Sequence, residues 1–214
     1  MPNLSSVFLP VGMYNRGVNR FYWIGNNLAL DFANTLAVDE NGRPAELLAT
    51  FDDLLAWVVE GGLAPQPAAE RVRNMLNTAQ QKKMVELALD LRSEIKAMAK
   101  ALAGAKPVPR SVISKINEVL GEKEGHFEVV QTARGYEQKF QTKTNNVTDF
   151  LLPIAEAAMN LLCYGDLKRV KKCEGATCVL CFYDTTKPGH RRWCSMSACG
   201  NRAKSAAFYE RSKK

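Results

Sequence analysis

Five of the six cysteines fall within 27 residues, from Cys173 to Cys199. Four of them form two pairs of equal spacing, Cys173-x4-Cys178 and Cys194-x4-Cys199, with fifteen residues between the pairs. A spaced pair makes a short turn that delivers two thiolates. The intervening loop folds back and brings the two pairs together. Four thiolates satisfy Zn²⁺ with no open position, so the chemistry is structural and not catalytic. The spacing predicts one Zn²⁺ held by Cys173, Cys178, Cys194 and Cys199, with Zn–S distances of about 2.3 Å. Free cysteine is also a common small core residue, but two matched pairs in a basic segment argue against that plainer reading.

The same segment carries the charge. Residues 168–214 hold twelve Lys and Arg against three acids, whereas residues 1–167 hold seventeen bases against nineteen acids. A near-neutral body thus precedes a strongly basic tail. Four zinc-bound thiolates remove only two units of that charge. Such asymmetry points to a polyanionic partner, with DNA the commonest. The plainer alternative is a solvated basic surface, since Lys and Arg are mostly exposed in any protein.

With 214 residues, 46% hydrophobic and 24% charged, the composition fits one ordinary globular domain plus a small one. Residues 1–20 lack a basic stretch followed by a long apolar core, so no signal peptide is expected. The most apolar stretch, residues 150–164, is too short to span a bilayer and contains Pro153, Glu156 and Asn160. The expectation is a cytoplasmic protein with no membrane partner. In a reducing compartment clustered cysteines bind metal more often than they form disulfides. The chain shows no Gly-rich phosphate loop, no Gly-x-Ser-x-Gly and only two histidines, so no enzyme is expected.

The elements that must position the cysteines follow from periodicity and caps. Residues 1–20 read as an arm or an early strand, and residues 21–24 as a short β-prone run. Asn26 or Asn27 caps a short helix through Leu28, Leu30, Phe32 and Leu36. Thr50 with Asp53 opens a helix over 51–60 that Gly61 and Gly62 end. Pro67 opens another. From about 80 to 103, Met84, Leu87, Leu91, Ile95, Met98 and Leu102 share one helical face. Ser111 caps the next helix. Residues 127–132 and 136–142 read as a β-hairpin turning at Arg134-Gly135. Asn146 or Thr148 caps a helix that Gly165 closes, which sets the expected domain boundary. In the tail, residues 168–172 read as a strand. Residues 182–184 and 191–193 read as a hairpin turning at Lys187-Pro188-Gly189. A helix is expected from about 195 to 211. Knuckle, hairpin and then a helix that supplies the second ligand pair is the order of a treble-clef finger. The fold class expected is α+β: a mixed helical and β-hairpin domain over residues 1–165, followed by a small treble-clef zinc finger over residues 166–214.

Cys194-Ser195-Met196 followed by Cys199-Gly200-Asn201-Arg202 resembles the signature of the CGNR zinc-finger family. Arg191-Arg192-Trp193 before it, and Phe182 with Asp184, agree with that family's flanks. Leu28-Ala29-Leu30-Asp31-Phe32 and Asn34-Thr35-Leu36 resemble a stretch of the ABATE domain. That domain precedes the CGNR finger in bacterial proteins regarded as stress-induced transcription regulators. The resemblance implies a mixed α/β first domain, a treble-clef finger and a DNA-binding role. By position it carries the ligand roles to Cys173, Cys178, Cys194 and Cys199. Cys181 departs from the family, which has an apolar residue there, and it creates a second possible pair, Cys178-x2-Cys181. Pairing Cys178 with Cys173 leaves Cys181 as a spare thiol under the hairpin or near the metal.

The leading candidates for nucleic-acid contact are Lys187, Arg191, Arg192, Lys204 and Arg211. Lys204 and Arg211 lie seven residues apart and share a helix face. Arg202 lies nearly opposite Lys204 and is expected to brace the finger, against Asp184 or a carbonyl. Trp193 is expected in the finger's apolar core, Cys163 in the main core, and His190 at the surface. Asp31 and Asn34 lie three apart among apolar neighbours. They read either as a buried polar pair that fixes the fold or as part of a pocket for a small-molecule effector. The leading function is a DNA-binding regulator, with affinity from phosphate contacts. The alternatives are a zinc-dependent protein-interaction module and an RNA-binding protein. Target sequence, effector, oligomeric state and sign of regulation are not written in these signals.

Overall fold

The computed structural model describes residues 20–39, 42–122, 125–133, 135–142 and 147–213. Residues 1–19, read above as an arm or strand, lie outside the described residues, as do Arg134 and Asn146. The class is α+β, with helices surrounding three two-stranded antiparallel ribbons among the described residues.

The β-prone run at 21–24 forms no strand. The Asn27 side chain accepts the backbone N–H groups of Ala29 and Leu30 and starts α1, Leu28–Ala33. Leu36, expected on that helix, begins strand β1, Leu36–Val38, which pairs with β2, Pro44–Glu46. Thr50 and Asp53 form the expected capping box of α2, Phe51–Glu60. Pro67 lies in the first turn of α3, Gln66–Met75. The long helix α4, Thr78–Ala103, buries Met84, Leu91, Ile95 and Met98 on one face. Helix α5, Arg110–Gly121, starts at Pro109 and not at Ser111. The Ser111 hydroxyl donates instead to Glu94 of α4, at 2.9 Å.

Strands β3, Gly125–Thr132, and β4, Gly135–Thr142, form the expected hairpin. Thr148 falls in a 3-10 turn, Val147–Phe150, one step before α6, Leu152–Tyr164, which has no side-chain cap. Cys163 is exposed, against the expectation of core packing. Helix α6 buries Ile154, Ala158 and Leu161. Two residues beyond Leu161 is a turn of about 200°, onto the opposite face.

In the tail, β5, Val170–Lys172, pairs antiparallel with β6, Cys181–Tyr183. The expected pairing of 182–184 with 191–193 does not form. The strands flanking the first cysteine pair meet each other because that turn reverses the chain, with Cys173 N–H on Leu180 C=O at 2.9 Å. Residues 191–193 run alongside and are tied through the Arg192 carbonyl to the Glu174 N–H at 3.0 Å. A wide π-type turn, Met196–Gly200, then leads into α7, Asn201–Ser212.

Strand β6 joins two cores. Cys181 and Tyr183 pack with the main core of α1, α2, α4, α5 and α6. Phe182, with Leu180 just before the strand, packs with the four paired cysteines and Ala37 of β1. This is the two-residue alternation of a strand buried on both faces. Among the described residues no helix is long and apolar enough to cross a membrane.

Candidate metal centre

The sulfurs of Cys173, Cys178, Cys194 and Cys199 all lie within 4.8 Å of one another. Cys178 and Cys194 sulfurs are 3.8 Å apart, and those of Cys194 and Cys199 3.6 Å. A tetrahedron with Zn–S bonds of about 2.3 Å has S···S edges of about 3.8 Å. The donor set, number and spacing therefore fit a tetrahedral divalent cation, zinc foremost, with no position left for substrate. Cys181 and His190 are not part of this group.

Local backbone supplies the support. Gly175 N–H and Cys194 N–H both point at the Cys173 sulfur, at 3.4 and 3.3 Å. Gly175 is glycine for want of room, since a Cβ there would sit 3.1 Å from the Cys199 sulfur. Beyond Cys199, Gly200 lets the Met196 sulfur lie against the backbone, where a Cβ would be 2.5 Å away. Asn201 donates back to the Ser197 carbonyl at 3.3 Å, and Arg202 donates to the Cys199 sulfur at 3.3 Å. Arg202 thus braces the finger through a sulfur, not through Asp184.

Ionisation within the cluster shows why a cation belongs there. The Cys194 thiol facing Cys178 draws the Cys178 pKa down to about 5. The same contact, with burial, pushes Cys194 up, and burial raises Cys173. Burial and the neighbouring sulfurs thus disfavour ionisation of Cys173 and Cys194. Ionising all four requires a positive charge among them.

Asp184 organises the neighbouring loop. It is fully buried, and burial alone would raise its pKa. Hydrogen bonds from Thr186 and Lys171 outweigh this and hold the carboxyl well below its usual range. Its oxygens receive Thr186 N–H, Lys171 Nζ and Arg191 N–H. Arg169 adds hydrogen bonds to the Asp184 and Thr186 carbonyls, at 2.9 and 2.8 Å. Sequence reasoning counted Arg169 and Lys171 only as tail charge. The signal available was Asp184, the one aspartate of residues 168–214, among so many bases.

The five candidate nucleic-acid contacts do not share one environment. Arg191 faces inward: its guanidinium lies 4.1 Å over the Phe182 ring and donates to the carbonyls of Trp193, Ile24 and Cys194. Arg192 is exposed, pairs with Glu174 at 2.6 Å and lies over Trp193. Trp193 is partly buried against the cysteine cluster, as expected of a finger core residue. Lys187 is exposed on the loop after Asp184. Lys204 and Arg211 are exposed on α7, a helix with no buried residue.

Asp31 and Asn34 are buried, and Asn34 ties the finger to the body. Asp31 accepts the Gly25 N–H at 2.6 Å, and burial lifts its pKa to about 7. Asn34 exchanges two hydrogen bonds with the Cys181 backbone. Both side chains thus have hydrogen-bond partners within the protein. Thr35 of the same motif receives Arg92 Nη1, and Arg92 forms a two-pronged ion pair with Glu46.

Two family models match the chain. The ABATE family, described as "Putative stress-induced transcription regulator", matches residues 26–165. The CGNR zinc finger matches residues 169–212. Neither description is that of an enzyme. No curated protein matches the chain. With about two thirds of its length matched by one family and its cysteine-bearing segment by the other, the chain belongs to the ABATE family and carries a CGNR zinc finger.

Proposed function

We propose that the protein is a DNA-binding transcription regulator of two units, residues 1–165 and 166–214, acting in the cytoplasm. Zn²⁺ on Cys173, Cys178, Cys194 and Cys199 fixes the finger. The finger meets the phosphates of duplex DNA through Lys187, Arg192, Lys204 and Arg211. In this reading Arg191 positions these groups and does not itself touch DNA, because its guanidinium is held by three carbonyls and a ring. Asn34 serves the same end from the body side through its bonds to Cys181.

The observation that carries the proposal is helix α7. It begins at the cysteine cluster, so its start is fixed, yet it buries no residue. A helix with no buried residue leaves its surface open to a partner. Its bases, Arg202, Lys204 and Arg211, with Lys213 just beyond its end, against Glu210 alone, suit a polyanion. The test is a titration of labelled duplex with wild type and a Lys204→Ala/Arg211→Ala variant across a salt series. Uniformly weaker binding on all sequences and a salt slope lower by about two units support the reading.

A second reading rests on Phe208 and Tyr209, which are 61% and 66% exposed on the same helix. Exposed aromatics of this kind also suit a protein partner. Absence of duplex binding at low salt would favour that reading, and preference for single-stranded RNA would favour an RNA-binding one.

A further inference from the structure

A cleft of about 480 Å³ is lined by the finger's Lys171, Lys172, Glu174 and residues 189–192, and by Ala103 from the end of α4. No residue of α7 lines it. Four bases face it against one acid, Glu174. Two of the bases are anchored: Lys171 lies on Asp184 and the Gly189 carbonyl, and Arg191 lies on Phe182 and its three carbonyls. They make the walls rigid. Lys172 is exposed and has no hydrogen bond or ion pair among the described residues, and Arg192 is exposed with Glu174 as its ion-pair partner.

The body adds a cation of its own. Lys100 is exposed and lies three residues before Ala103, on the same helix face. Helix α4 packs directly on β5, so its last turn stands beside the strand that carries Lys172.

We propose that this cleft is a second contact for the backbone of duplex DNA, with Lys172 and Arg192 of the finger and Lys100 of the body taking phosphates along one track. The inference rests on the DNA reading above and extends it from the finger to the body. Isolated phosphate or a small anion would need only one of these cations. A phosphate backbone meets several cations spread along a rigid surface, and each contact adds to the salt dependence.

The experiment uses the full, zinc-loaded chain and a duplex of about 20 base pairs, titrated between about 50 and 200 mM salt. Lys172→Ala and Lys100→Ala are each expected to lower the salt slope by roughly one unit and to weaken all sequences alike. Lys82→Ala, on the same helix but about 27 Å from Lys100 by helical rise, is expected to change nothing. Glu174→Gln is expected to tighten binding by releasing Arg192. Far-UV circular dichroism and zinc content matching wild type confirm that each variant is folded. If wild type binds and Lys204→Ala lowers the slope while Lys172→Ala and Lys100→Ala do not, this inference is overturned and the DNA reading survives. If only Lys100→Ala is silent, the body's share of the track is overturned. If wild type binds no duplex, the DNA reading itself fails and takes the inference with it.

Discussion

The side-chain amide of Asn34 and the backbone of Cys181 form a closed pair of hydrogen bonds: Nδ2 donates to the Cys181 carbonyl at 2.9 Å, and the Cys181 N–H donates to Oδ1 at 3.0 Å. An amide from the residue that ends α1 thereby stands in for a neighbouring strand at the edge of β6. Both partners are buried. Asn34→Ala leaves a buried donor and a buried acceptor unpaired, with an expected cost of about 2–4 kcal/mol. Urea denaturation of the zinc-loaded protein measures it. DNA affinity of the folded variant is expected to stay unchanged, and a stability loss under about 0.5 kcal/mol would contradict the assigned role.

Metal removal acts on both faces of β6. Without zinc, the cluster of Leu180, Phe182, Ala37 and the four thiols loses its centre, and a segment of this size has too little core to stay folded alone. Chelation is expected to remove hydrogen-exchange protection from residues 170–212 and from β1. Helices α4, α5 and α6 are expected to keep theirs at a lowered melting temperature, since Cys181 and Tyr183 also pack in the main core. Loss of protection across all three helices would contradict the two-unit account.

The first cysteine turn leaves little space for a methyl group at Gly175. Gly175→Ala pushes against the Cys178 Cβ at 3.0 Å and the Cys199 sulfur at 3.1 Å, and disturbs the N–H that faces Cys173. Zinc affinity is expected to fall by roughly tenfold or more, as for other residues supporting a metal's ligands. Competition with a chromogenic chelator reads this directly, and unchanged affinity would place the glycine outside the support of the site.

Asp31 gives a pH dependence of defined sign. Its carboxyl ordinarily titrates at 3.8, and burial in the folded state raises this to about 7. The folded state therefore favours the protonated form. The associated stability is fully present below pH about 4 and is lost as pH rises to about 7, by up to roughly 4 kcal/mol. Asp31→Asn is expected to flatten this part of the curve, because the neutral amide still accepts from Gly25. The difference between variant and wild type at each pH isolates the effect from acid release of the metal, which both share. Parallel curves for the two proteins would contradict the assignment.

The features legible in the sequence were those written locally. The four cysteines, the caps at Asn27 and Thr50, and the buried face of α4 each depend on spacing within a few residues. Features set by distant partners were hidden. Arg191 looks like surface charge until the Ile24 carbonyl, 167 positions away, accepts from it. Asn34 gives no local sign of its partner Cys181, 147 positions away. The finger's strand pairing was misplaced because Phe182 and Tyr183 suit a strand in either register, and only the reversal at the first cysteine pair selects β5 as partner. The β1–β2 ribbon is three residues on each side and leaves no periodic trace.

The most direct test of the central claim compares duplex binding by the zinc-loaded and the chelated protein at about 50 mM salt, repeated near 200 mM. The account expects binding by the zinc-loaded form that weakens steeply with salt, and at least tenfold weaker binding once the metal is removed and α7 loses its anchored start. Equal affinity with and without zinc, or no binding by the zinc-loaded form at the lower salt, would contradict it.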